Sequence, residues 1–236
     1  MEFDKFRLRF CKAGSLRLVS HHDLMRVFER MLRRAQLPFR STSGFHPHPR
    51  IVFALSLPLG VEGLDEIVEI EMTQPMPADE ILQRLNRQAP DGLRFTSIER
   101  IPPNVTAQVA RATYAIDLPS GRETALLDRC RALLAQSECR VQRGHPQPRS
   151  VDIRPYLIDL RIADGRLVMD FLVTPNGTAR ADEVLGVLDA RDLLDGGAAL
   201  QRTHLQLQNE TIFDRSSDAL RQRHGAIVEA DCVATE

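Results

Sequence analysis

Phe6-Arg7-Leu8-Arg9-Phe10 alternates apolar and basic side chains, the period-two pattern of a strand with one buried and one wet face. Ser20-His21-His22-Asp23 then reads as a helix start, with Ser20 as N-cap and Asp23 as its capping-box partner. Leu24, Val27, Phe28, Met31, Leu32 and Ala35 follow at the spacing of a buried helical stripe, and Pro38 ends the helix. The pattern next predicts a short strand over 39–42, a Gly/Pro loop over 43–50, and strands over 51–57 and 66–72 separated by Pro58-Leu59-Gly60. A helix from Pro77 through Ala89 and a strand over 93–98 complete this stretch. Ile101-Pro102-Pro103-Asn104 punctuates the chain. The order then restarts: a strand over 114–118, a capping box at Ser120-Gly121-Arg122-Glu123 with a helix to Gln136, and a short strand over 139–142. A Gly/Pro loop follows, then a hairpin of 156–162 and 167–173 across Asp164-Gly165, a helix near 181–188 and a strand over 200–207.

Two local echoes accompany this restart. Ala78-Asp79-Glu80-Ile81-Leu82 with Leu85 is matched by Ala181-Asp182-Glu183-Val184-Leu185 with Leu188, and His46-Pro47-His48-Pro49-Arg50 by His145-Pro146-Gln147-Pro148-Arg149. Capped amphipathic helices converge on the first pattern, but two prolines in step with a His and an Arg have no generic helical cause. The expected fold is therefore α+β, with two tandem ferredoxin-like (βαββαβ) units from an internal duplication. The units are expected over 1–103 and 104–213, with a polar C-terminal tail over 214–236.

With 236 residues, 43% hydrophobic and 27% charged, the chain has room for one large or two small globular domains. No apolar run approaches a membrane span, and the start of the chain lacks a signal-peptide layout. A cytoplasmic protein without a membrane partner is expected. Cys11, Cys130, Cys139 and Cys232 are scattered, which supplies neither a disulfide framework nor a cluster to hold iron and sulfur. The chain is thus expected to hold no cofactor of its own. It contains no Trp and two Tyr, so aromatic base-stacking platforms are poorly supplied. No phosphate-binding glycine loop, dinucleotide fingerprint, nucleophile elbow or H-E-x-x-H motif occurs.

The net charge of −1 hides a strong segregation. Residues 1–50 hold eleven Lys/Arg against four acids, and residues 51–83 hold seven acids and no base. Either a basic face remains available to an anionic partner, or the two segments neutralise each other in space. Nearly all the bases are Arg, which suits bidentate phosphate contacts.

In the expected topology the loop into the first helix and the loop over 43–50 lie at the same end of the first unit. His21, His22, His46 and His48 would then share a rim, with Phe45 wedged beneath the loop and the prolines holding its backbone extended. Four uses of this rim remain open. It could bind a phosphate-rich polymer, with Arg26, Arg30 and Arg33 along the helix and Arg50 beside it. It could relay protons without a metal, with His21 and His48 as acid–base residues. It could hold a metal through His21, His46 and His48. Its histidines could instead serve only the loop and the cap. The second unit keeps the Pro-x-Pro frame and loses most imidazoles. There Asp152-Ile153-Arg154-Pro155-Tyr156 offers Arg154 as a further binding residue, unless Asp152 pairs with it.

At Leu18-Val19-Ser20-His21-His22-Asp23-Leu24-Met25-Arg26, Ser43-Gly44-Phe45-His46-Pro47-His48-Pro49 and Pro58-Leu59-Gly60-Val61-Glu62, the chain resembles a radical-SAM-linked bacterial family of unknown function. Asp152-Ile153-Arg154-Pro155-Tyr156 is similar to the family's later motif. Members occur beside, or fused behind, radical SAM proteins of the cobalamin-binding type. The resemblance implies a radical SAM partner of the cobalamin-binding type, which brings the iron–sulfur cluster. It carries over His21, His48, Gly44 and Phe45 more firmly than His22 and His46, where the family often has Leu and Asn. The tandem architecture is also similar to CRISPR repeat-RNA-processing proteins, by fold analogy alone.

The combined expectation is a non-catalytic RNA- or anion-binding accessory module acting with a radical SAM enzyme in RNA modification. Its expected binding residues are His21, His48, Gly44, Phe45, Arg26, Arg30, Arg33, Arg50 and Arg154. Two alternatives stand beside it: a metal-independent endoribonuclease using His21, and a protein-only adaptor docking its partner through the acidic segment 62–71.

Overall fold

The computed structural model describes residues 3–144 and 146–210. His145, Cys232 and the tail expected over 214–236 lie outside the described residues. The chain is mixed α+β, and the described residues divide into two compact units: Val109–Leu207, and the residues before Val109 together with those after Leu207. Among the described residues no helix is long and apolar enough to cross a membrane.

The first unit runs β1 (Asp4–Lys12), α1 (His21–Arg34), β2 (Ile51–Phe53), β3 (Glu62–Met72), α2 (Ala78–Asn86) and β4 (Leu93–Ile101). Its strands lie in the order β4-β1-β3-β2, every pairing antiparallel. The alternation of β1 decides its two faces. Phe6, Leu8 and Phe10 turn into one core with Leu24, Phe28 and Leu32 of α1 and Ile81 and Leu85 of α2. Both helices therefore cover the same sheet face. Phe28 sits at the centre of an aromatic cluster, its ring centroid 5.3 Å from Phe10, 5.0 Å from Phe53 and 5.5 Å from Phe95.

Lys5, Arg7 and Arg9 leave β1 on the opposite face and meet the acids of β3. The register sets Arg7 against Glu69. Glu69, almost fully buried, lies 2.7 Å from Lys5 Nζ, accepts hydrogen bonds from the Arg7 guanidinium at 2.9 and 3.1 Å, and accepts the Ala107 N–H at 2.7 Å. Breaking such a buried ionic cluster by removing one partner typically destabilises a fold by about 3–5 kcal/mol.

The second unit runs β5 (Val109–Asp117), α3 (Glu123–Ala135), β6 (Arg140–Arg143), β7 (Arg149–Asp152), β8 (Leu157–Ala163), β9 (Arg166–Leu172), α4 (Ala181–Val187), α5 (Asp192–Asp195) and β10 (Gln201–Leu207). Four of its strands lie in the order β10-β5-β9-β8, again antiparallel throughout. Asp164 and Gly165 have φ of +51° and +72°, the left-handed pair that a tight two-residue hairpin needs, as the dipeptide suggested.

Several local expectations change. The strand predicted over 39–42 is reduced to isolated bridges, Phe39 to Met72 and Ser41 to Pro49. The Gly/Pro stretch before Asp152 contains β7, which pairs with β6 as a separate hairpin. Ser120 does not cap α3: the helix begins at Glu123 with Arg122 at the N-cap and no side-chain cap bond. Gly121, at φ +87°, turns the chain between Ser120 and the helix, and Arg122 is held by Asp192.

Candidate functional site

Ser20 caps α1 as its sequence requires. Its hydroxyl oxygen accepts the Asp23 N–H at 3.2 Å, and its O–H donates to the Asp23 carboxylate at 2.8 Å. Those bonds, with Arg26 Nη1 2.9 Å from the carboxylate, hold Asp23 below the usual carboxyl range. The start of the helix is therefore already occupied by its own side chains.

Residues 40–42 and 48–50 form a small antiparallel ribbon. Thr42 N–H donates to the His48 carbonyl and Arg50 N–H to the Arg40 carbonyl, each at 2.8 Å. The tip of the ribbon carries Gly44, whose φ of +131° suits glycine, and Phe45 and His46. Phe45 does not wedge beneath the loop as expected; it is fully exposed. Phe39 and Phe53, by contrast, are partly buried and pack against the core.

A polar contact joins the ribbon to α1, His48 Nδ1 to Glu29 Oε1 at 3.2 Å. Around it lies a groove of about 630 Å³, within the range of small-ligand sites. His22, Met25, Arg26 and Glu29 form its helical wall, and Thr42, His48, Arg50 and Val52 belong to the wall opposite. Of the four expected rim histidines, His22 and His48 line this groove. His21 instead packs edge-on to Phe53, with ring centroids 5.2 Å apart. Burial, with the neighbouring His22 and Lys12, lowers its pKa from the ordinary value. His46 remains on the exposed tip. Among the described residues no three His, Cys, Asp or Glu side chains are grouped to hold a metal ion, so the set His21, His46 and His48 is not assembled.

Ion pairing decides which bases remain open to an anion. Lys5 and Arg7 are held by Glu69, Arg9 by Asp65, and Arg40 by Glu71 at 2.8 Å. Arg17 and Arg50 lie 3.9 Å from Glu62 and Glu71. Lys12 donates to the Val19 carbonyl at 3.0 Å. The acidic segment thus neutralises most of the basic one, while the later part of α1 escapes. Arg33 lies over the Phe39 ring, 5.4 Å from its centroid. Arg30 and Arg34 line a second groove, of about 360 Å³, together with Arg87 at the end of α2. Among the described residues no carboxylate is paired with any of these three. Val27, Met31 and Pro90 add apolar surface.

No local sequence pattern marks Arg87 as a partner of α1. It lies far from α1 along the chain, and only the packing of both helices on one sheet face brings it there. Arg154, an expected binding residue of the second unit, donates from its guanidinium to the carbonyls of Leu134, Gln136 and Leu157 at 2.6, 3.0 and 3.1 Å. It closes the end of α3, whose last carbonyls lack helical partners. Asp152 does not pair with that guanidinium; its carboxylate accepts the backbone N–H groups of Cys139 and Arg154. Burial, with Asp159 nearby, pushes the Cys130 thiol up to about 11, far from a reactive thiolate.

No curated protein matches the chain. Two solved structures are similar over most of its length. One is an unknown protein from Galdieria sulphuraria, 12% identical, covering 87% of this chain and 99% of that one with a TM-score of 0.26. The other is described as a "putative glycine cleavage system transcriptional repressor", 10% identical, covering 85% and 97% with a TM-score of 0.27. A family model described as an uncharacterized protein conserved in bacteria (DUF2344) matches residues 5–182, more than half of the sequence, and the chain belongs to that family.

Proposed function

We propose that this protein is a non-catalytic RNA-binding accessory module that acts with a radical SAM enzyme in RNA modification. The observation that carries the RNA contact is the groove of Arg30, Arg34 and Arg87, three guanidiniums without a carboxylate partner among the described residues. Arg30 and Arg34 stand one helical turn apart, a like-charge spacing that is unfavourable until an anion lies between them. Phosphates of a single strand satisfy that charge, and Arg matches their geometry bidentately. Arg33 and Arg26 extend the same cationic side of α1.

The radical SAM partner rests on the resemblance of the three ordered motifs of the first unit to the radical-SAM-linked family. The partner supplies the reactive cluster and this chain supplies grip on the RNA. We also propose that each unit is ferredoxin-like and that the two arose by duplication. The repeated strand order supports this, as do Ala78 and Ala181 at the starts of α2 and α4. So do the two ribbons, 40–42 with 48–50 and 140–143 with 149–152, which enclose tips of equal length.

The test is retention of single-stranded RNA at moderate salt by the purified chain. Arg30→Glu with Arg34→Glu should abolish retention and leave the thermal unfolding midpoint nearly unchanged. Unchanged retention would refute the RNA contact. Pull-down of the radical SAM protein from ribonuclease-treated extract should weaken if RNA bridges the two; full recovery would favour a protein-only adaptor.

A further inference from the structure

We infer that the groove between α1 and the 40–50 ribbon is a pocket for one unstacked nucleobase of the strand held by the arginines. This inference rests on the RNA-binding reading and assigns a second, chemically different subsite to it. Arg26, Arg30 and Arg33 recur at i, i+4 and i+7 and form one ridge of α1. Arg30 lines the guanidinium groove on one flank of that ridge, and Arg26 lines the ribbon groove on the other. A strand crossing the ridge therefore meets both.

The two grooves differ in charge. In the guanidinium groove no acid offsets Arg30, Arg34 and Arg87 among the described residues. In the ribbon groove the ions compensate one another. Glu29 faces His48, Glu71 holds Arg40 and approaches Arg50, and Asp23 holds Arg26. That groove has no surplus cation with which to attract phosphate. What it offers is apolar surface from Met25, Ile51 and Val52 together with hydrogen-bonding groups of His22, Thr42 and His48. Val52 is a large hydrophobic left exposed there. A heteroaromatic base has the complementary surface, with apolar faces and hydrogen-bonding edges. Single-stranded RNA is commonly read by splaying a base out onto such a surface, with histidine among the side chains that stack on it.

Photocrosslinking of a short single-stranded oligouridylate containing 4-thiouridine to the full chain tests this, with crosslinked peptides mapped by mass spectrometry and binding followed by fluorescence anisotropy. Crosslinks are expected in the peptides carrying His22–Met25 and Pro49–Val52. Val52→Glu, a change at an exposed site, should cut their yield about tenfold, the scale of one lost base contact, and change the affinity much less than loss of the arginines does. Binding of the oligonucleotide with crosslinks confined to other peptides, or an unchanged yield in Val52→Glu, would overturn the base pocket and leave the arginine contact standing. No anisotropy change with the wild-type chain would refute both.

Discussion

His48 Nδ1 stands 3.2 Å from Glu29 Oε1, and this contact ties the proline-braced ribbon to the middle of α1. Glu29 is the less exposed of the two, and His48 is largely open to solvent. Partly exposed pairs of this kind contribute about 0–1 kcal/mol. Glu29→Ala should therefore lower global stability by less than about 1 kcal/mol. It should nonetheless accelerate amide hydrogen exchange over residues 42–50, because the ribbon loses its side-chain anchor to the helix. Unchanged exchange there would mean that the ribbon holds its place without the pair.

Arg154 should behave as a structural residue. Three carbonyls accept from its guanidinium, and a hydrogen bond to a charged group contributes about 1.5–3 kcal/mol when buried. Arg154→Ala should cost roughly 2–4 kcal/mol, since the contacts are partly exposed and not additive. Urea unfolding measures this, and RNA retention by the folded variant should be unchanged. A stable variant that loses RNA would reverse the assignment.

The pH dependence of the first unit should carry a signature of His21. Its pKa is lowered from 6.5 by burial, then by His22 and Lys12. Above that ordinary value the imidazole is neutral in both the folded and unfolded states and contributes no pH dependence. As the pH falls below it, the unfolded chain takes up the proton first, so stability declines until the pH passes the lowered folded value. His21→Gln should flatten this decline in denaturation midpoints measured between pH 7.5 and pH 5. An equal decline in the variant would place the loss elsewhere.

The chemistry of the chain was legible in sequence wherever it was local. The Ser20–Asp23 cap, the stripe from Leu24 to Ala35 and the Asp164-Gly165 turn follow from spacing alone. The segregation of charge between 1–50 and 51–83 was visible too, but its consequence was not. Both outcomes, a free basic face and mutual neutralisation, were compatible with it, and each holds in part. The register of β1 on β3 neutralises Arg7 and Arg9, whereas Arg30 and Arg34 on α1 have no acidic strand beside them. The prolines beside β7 concealed a strand because β6 and β7 form a ribbon apart from the other strands of their unit, and proline is tolerated at the ends of such an edge. Hydrophobicity alone does not say whether a ribbon tip points inward, and Phe45 stands exposed. Arg87 required the packing of α1 beside α2, which no local pattern encodes.

The most direct test of the account is the salt dependence of RNA affinity, measured by anisotropy with a short single strand. Each phosphate contact on single-stranded nucleic acid contributes about −0.7 to the slope of log K against log salt. Replacing Arg30, Arg34 and Arg87 together by Gln should therefore flatten that slope by about 2 and weaken binding most at low salt. An affinity and slope indistinguishable from those of the wild-type chain would contradict the proposal that these three arginines grip the RNA backbone.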